Sequence, residues 1–244
     1  MKKTILFCAM ALATSGLFAQ KQTGGEKNLE VQFAPLGGSP VSISGIRLRM
    51  FNSEASAIRL SVFVGGSTDA TVTAQPGTVA GGDEDRPELY DTDKSFSFSL
   101  RPGYEKHFEG TDRLSPYVGG ELVFSTTTTT TTSEDWNGTN ARPEEGAVWE
   151  TTTTDGSTTF GLNLVAGTDF YFADNIYLGA ELGFGFAKTN EKDSETEVSD
   201  LDRFRAANGI PDDTEVEFDP IINGSSSSWG PNFQGTIRLG WLFN

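Results

Sequence analysis

Between Phe160 and Phe186 apolar and polar positions alternate with period two. On the first arm Phe160, Leu162, Leu164, Ala166, Phe170 and Phe172 share one face, and Gly161, Asn163, Gly167, Asp169 and Tyr171 share the other. After Ala173-Asp174-Asn175 the second arm sets Ile176, Leu178, Ala180, Leu182, Phe184 and Phe186 against Tyr177, Gly179, Glu181, Gly183 and Gly185. Successive strand side chains point to opposite faces, so this spacing predicts a β-hairpin with an Asp-Asn turn. One face is greasy and aromatic, and the other is glycine with an occasional charge. That combination fits a membrane barrel, with lipid outside and a polar lumen.

The same alternation recurs along the chain. It predicts strands at about 29–36, 41–51, 57–66 and 94–104, a fifth from Ser115 into Thr126–Thr132, and a sixth beginning near Thr151. The sixth and seventh form the hairpin, and an eighth closes the chain. On the eighth, Phe233, Ile237, Leu239, Trp241 and Phe243 share the face expected to meet lipid. From the second strand onward the connections run short, long, short, long, short, long. The long ones cover about 67–93, 133–148 and 187–225. Outer-membrane barrels place short turns on the periplasmic side and long loops outside. The expected fold is therefore all-β: an eight-stranded antiparallel up-and-down transmembrane β-barrel with short periplasmic turns and three long extracellular loops. Only the first outer connection, around Gly37 to Pro40, is short. Thr126–Thr132 and Thr151–Thr154 are expected to face each other above the membrane, since β-branched residues favour strands. Ser199 to Asn208 reads as a short helix, capped by Ser199 and ended by Gly209.

Residues 1–20 stand outside this pattern. Lys2 and Lys3, the apolar run Ile5 to Leu12 and Leu17-Phe18-Ala19 read as a secretory signal peptide, with the barrel domain at 21–244. The single cysteine, Cys8, lies in that leader, so the mature chain is expected to have no disulfide and no thiolate site. Losing Lys2 and Lys3 takes the net charge from -16 to -18, which makes nucleic acid a poor partner.

The inward face carries Glu30, Arg47, Arg49, Arg59, Arg101, Glu105, Glu121, Asp169, Glu181 and Arg238, five acids against five arginines. Buried charges are tolerable when paired. An eight-stranded interior is just wide enough for side chains to fill. The expectation is a neutralised ionic plug, and the alternative is a narrow or gated channel. A soluble barrel with its apolar faces turned inward is a further alternative. It would have to crowd many Phe, Leu and Trp side chains into that small interior.

No catalytic, cofactor or metal residue is assigned. The only histidine, His107, falls in a predicted periplasmic turn and reads as an ordinary solvated residue. There is no Walker-type phosphate loop and no His/Cys ligand cluster. The acidic stretches 67–93 and 187–225 read as solvated, self-repelling loops. Weak binding of divalent cations, bridging to lipopolysaccharide, is the functional alternative there, although no Asp-x-Asp-x-Asp-Gly loop is present.

Several segments carry a family resemblance. These are Gly103-Tyr104-Glu105-Lys106-His107-Phe108, the run Arg113 to Leu122, Gly167 to Phe172, Ile176 to Gly183, and the ending Arg238-Leu239-Gly240-Trp241-Leu242-Phe243-Asn244. Together they resemble the small outer-membrane β-barrels of the OmpA/OmpX-like type, in the variety common in Bacteroidetes. The ending is similar to a barrel-assembly signal, though such signals usually finish on the aromatic and here Asn244 follows it. The resemblance implies residence in the outer membrane, with its lipid, lipopolysaccharide and assembly machinery as partners and no cofactor. It leaves activity open, since members include structural anchors and adhesins. Any extracellular partner reached through the loops is unidentified.

Overall fold

The computed structural model describes residues 21–33, 43–74, 88–136, 148–220 and 224–243, with the side chains of 43–44 and 231–236 outside that description. The leader, the connection around Gly37 to Pro40, Phe233's side chain and Asn244 therefore lie outside the described residues.

Eight strands form one closed antiparallel barrel in sequence order. They are β1 (Lys27–Phe33), β2 (Ile43–Ser53), β3 (Ser56–Ala74), β4 (Leu89–His107), β5 (Leu114–Trp136), β6 (Val148–Ala173), β7 (Ile176–Val198) and β8 (Ser225–Phe243). Closure comes from β1 against β8, with Leu29 opposite Trp241 and Val31 opposite Leu239. Closing the ring leaves no strand edge within this band, which is what a β-structure needs in a medium without water.

Three tight turns hold one end. Ser53 pairs with Ser56, Thr111 N–H donates to Leu114 O at 2.9 Å, and Ala173 pairs with Ile176 across Asp174-Asn175. Asn175 takes the left-handed conformation at φ 63°, which Asn tolerates better than most residues.

The apolar faces look outward. Leu239, Trp241 and Phe243 are 42%, 62% and 39% exposed. Leu122, Leu164, Phe160 and Phe184 are exposed as well. Stranding such side chains in water costs on the order of 1 kcal/mol each, which a bilayer removes. This geometry runs against the inward-facing soluble barrel.

At the other end the strands run further than the apolar alternation predicts. β3 continues to Ala74, β5 to Trp136 and β7 to Val198. Parts of the stretches expected as loops are ladder, as in Asp69 opposite Asp93 and Thr153 opposite Thr196. Both faces there are polar, so the two-residue contrast vanishes while the backbone pairing persists. The threonine tracts pair directly, with Thr130 opposite Thr154 and Thr132 opposite Thr152. The helix, α1 (Leu201–Asn208), is capped by Asp200 rather than Ser199, and Gly209 ends it at φ 66°. Ser199 instead accepts the Glu150 N–H at 2.8 Å.

Candidate functional site

The site is the barrel interior, in three levels from the short turns upward. The lowest is a dry floor. Phe51, Ala57, Tyr171, Tyr177 and Leu242 are each at most 2% exposed and touch one another. Small inward residues make room for the rings. A Cβ at Gly240 would run into the Tyr177 ring, and one at Gly167 into the Tyr117 hydroxyl. Glycine at these pleats is a packing requirement imposed by close approach.

Above the floor lies the ionic cluster. Arg49 reaches Glu30 at 2.5 Å, Asp169 at 2.7 Å and Glu105 at 2.9 Å. Arg59 joins Glu105 at 2.9 Å, Glu121 at 2.7 Å and Glu181 at 2.8 Å. Arg238 bridges Glu30 at 3.1 Å and Asp169 at 2.9 Å. Arg47 pairs with Glu181 at 3.1 Å and Glu30 at 3.4 Å, and its Nε donates to Ser61 Oγ at 2.9 Å. Two tyrosines bind the cluster to the walls, and a third packs against one of them. Tyr117 donates to Glu181 at 2.6 Å, the Tyr177 hydroxyl lies against Glu30 and 2.9 Å from Asn28 Oδ1, and Tyr171 packs against Tyr177 in a tilted arrangement with ring centroids 5.1 Å apart. The Arg49 guanidinium also lies over the Tyr177 ring, 5.2 Å from its centroid. Each carboxylate is held by at least one arginine, which is what makes burial of so much charge tolerable.

Of the ten charged residues assigned to the lumen, all but Arg101 join this cluster. Arg101 is half-buried, one level higher, with Ser99 Oγ at 3.3 Å from its Nε. There a cavity of about 320 Å³ is lined by Arg47, Arg101, Glu121, Asn163 and Glu181 among others. Val123, Ser125 and Thr159 on its walls, toward the long-connection end, are half-exposed.

His107 overturns the sequence reading. It is 3% exposed, inside the floor, not in a solvated turn. Its Nδ1 lies 2.9 Å from Ser115 Oγ and its Nε2 3.2 Å from Glu105 Oε2. Gln22, from the segment before β1, donates to Ser115 Oγ at 2.7 Å and to Glu54 O at 3.3 Å. The physical reason is strand pairing: β4 runs to His107, which stands opposite Tyr117 on β5, and two residues after inward Glu105 it must point inward as well. The serine, histidine and glutamate stand in the order of a nucleophile, base and orienting acid. Yet Ser115 and Glu105 are completely buried and Glu105 is tied to two arginines. No described cavity adjoins the serine, so the chain of hydrogen bonds closes a floor.

The sequence faces place Tyr117, Tyr171 and Tyr177 beside the charges, but nothing in the pattern marks Tyr117 and Tyr177 as the residues that hydrogen-bond them. In the outer part, Tyr90 donates to Glu88 at 2.6 Å, and that hydrogen bond to a carboxylate holds the phenol above its usual range. Among the described residues no group of His, Cys, Asp and Glu is arranged to hold a metal, and no helix is long and apolar enough to cross a membrane. The latter says nothing about crossing by strands.

Two comparisons complete the picture. The family model described as Putative OmpA-OmpF-like porin family matches residues 41–206. No curated protein matches the chain.

Proposed function

The chain belongs to the Putative OmpA-OmpF-like porin family and is a β-barrel of the outer membrane; from that premise we propose that it is non-enzymatic, sealed by its own side chains, and acts through the surface at its long-connection end. The observation that carries this reading is the floor together with the ionic cluster above it. Tyr171, Tyr177, Glu30, Arg49, Arg59, Glu105 and Arg238 are all fully buried across the whole bore. A continuous water path needs exposed interior groups at every level, and here an entire level has none.

In this reading residues 1–20 are a cleaved signal and the short turns lie in the periplasm. The outward side chains of Ile237, Leu239, Trp241 and Phe243 meet acyl chains. Lipopolysaccharide surrounds the outer rim, and the assembly machinery recognises the closing strand. The polar, acidic outer strands and connections offer a large hydrated surface to an extracellular partner; nucleic acid is excluded by charge. The Ser115–His107–Glu105 chain supports the non-enzymatic reading, because a nucleophile needs access to substrate and Ser115 and Glu105 are fully buried.

Single-channel recording in planar bilayers tests the seal. The expected result is silence, or rare brief events; a steady open state overturns the reading. A second reading, a gated channel, is favoured by the cavity of about 320 Å³, which reaches down to Glu181. Carbonate extraction separates both from a soluble barrel, which such a wash would release.

A further inference from the structure

The cavity above the ionic cluster contains a cation that the cluster does not use. Gly103 on β4 stands opposite Glu121 on β5. Arg101, two residues along on the same face, is therefore a diagonal neighbour of Glu121, within reach of a long side chain. Arg59 nevertheless takes Glu121 Oε2 at 2.7 Å, and Asn163 donates to Oε1 at 3.0 Å. Among the described residues Arg101 makes no ion pair and keeps only Ser99 Oγ, through its Nε. Arg101 lines the cavity, and a guanidinium is suited to a bidentate carboxylate.

Charge narrows the class of ligand. Five carboxylates and four arginines form the cluster, and Arg101 beside it balances their charge. A ligand with net charge would break that balance. The rim is acidic as well, with Asp69 opposite Asp93 and Asp91 beside them, so a free anion would be repelled on entry and an ammonium drawn in. Volume narrows it further. About 320 Å³ has room for roughly ten waters, which suits one small solute and no polymer.

We infer that this cavity is a binding site for a small zwitterion of the α-amino acid type. Its carboxylate sits on Arg101, its ammonium faces Glu121, and its side chain lies among Gln32, Ser125 and Asn163. This goes beyond the sealed-barrel reading and does not require transport.

The test is a titration of the full mature chain, refolded in detergent micelles and followed by amide chemical shifts. Three probes separate the two charges: L-threonine, N-acetyl-L-threonine without the ammonium, and L-threoninamide without the carboxylate. L-Threonine is expected to give saturable shifts around the cavity on β4, β5 and β6. Each of the other two should bind at least about tenfold more weakly. Arg101→Gln should weaken L-threonine by about tenfold or more while keeping the heat-modifiable migration of a folded barrel. Val123→Phe, which fills the cavity and leaves Arg101 in place, should also abolish the shifts. Three outcomes overturn the inference: equal binding of threoninamide, unchanged binding to Arg101→Gln, or no saturable shift with any probe. The last is what Arg101 would give as a counter-ion for the cluster alone.

Discussion

Near the short turns the inward positions are Phe51, Tyr117, Tyr171, Tyr177, Arg49 and Arg238, each at most 2% exposed. Further up the same strands, inward positions are Ser125, Thr159 and Thr127, which are half-exposed. Backbone pairing runs through both regions, and the filling differs. Large rings on glycine and arginine on carboxylate exclude water below, whereas short hydroxyl side chains admit it above. Closing a barrel therefore does not by itself decide whether it conducts; the inward side chains of one level do. The lower region also concentrates the energetic risk, because its charges have no water to fall back on. The upper region spreads its stability over many exposed hydroxyl and backbone contacts.

Substitution at Arg49 should separate the two regions most sharply. Arg49→Ala leaves Glu30, Glu105 and Asp169 each short of a partner in a dry interior. Removing one member of a buried pair costs about 3–5 kcal/mol, and here three carboxylates share the loss. Urea unfolding in micelles, followed by tryptophan fluorescence, should show a loss in that range or a chain that does not assemble. Arg101→Ala serves as the control: it is half-buried and outside the cluster, and about 1 kcal/mol or less is expected. Equal losses at the two arginines would erase the distinction between a buried cluster and an open vestibule.

A smaller effect is expected where the floor depends on shape. Gly240→Leu places a side chain where the Tyr177 ring lies, and overpacking of this kind costs about 1–3 kcal/mol. The same substitution in a Tyr177→Ala background should cost much less, because the obstacle is gone. A double-mutant cycle measures the coupling. Should Gly240→Leu cost the same in both backgrounds, ring-on-glycine packing is not what position 240 serves.

The alternation made much of this legible. Ile237, Leu239 and Trp241 could be assigned outward and Arg49, Asp169 and Glu181 inward from period two alone. His107 was legible by the same rule, since Tyr104, Lys106 and Phe108 flank Glu105 and His107 with the opposite phase. It was lost because the segment also has the polarity of a turn. The fates of Arg59 and Arg101 could not be read. Both are inward arginines, and which one captures Glu121 depends on strand register: Arg59 stands opposite Gly103, which stands opposite Glu121. Gln22 could not be read either, because a residue ahead of the first strand has no ladder to fix its direction. Its docking is testable by itself. Gln22→Ala withdraws a donor from buried Ser115 and should cost about 1 kcal/mol. Hydrogen exchange should rise at the short-turn end and stay unchanged in the outer strands. A rise spread evenly over the barrel would mean that the segment does not act locally.

The least effect is expected in the threonine ladder, and its smallness is informative. Thr132 and Thr152 stand opposite each other with hydroxyls 3.3 Å apart. Cross-strand threonine pairs contribute about 0.2–1 kcal/mol, and water replaces an exposed hydroxyl's partner readily. Each alanine substitution should therefore shift stability by about 0.5 kcal/mol or less, with a coupling of a few tenths in the double variant. Native-state hydrogen exchange should show these outer amides opening well before those beside Glu105. If the pair instead couples by more than about 1 kcal/mol, the outer sheet unfolds as one body with the floor. The two regions would then differ in filling and not in cooperativity.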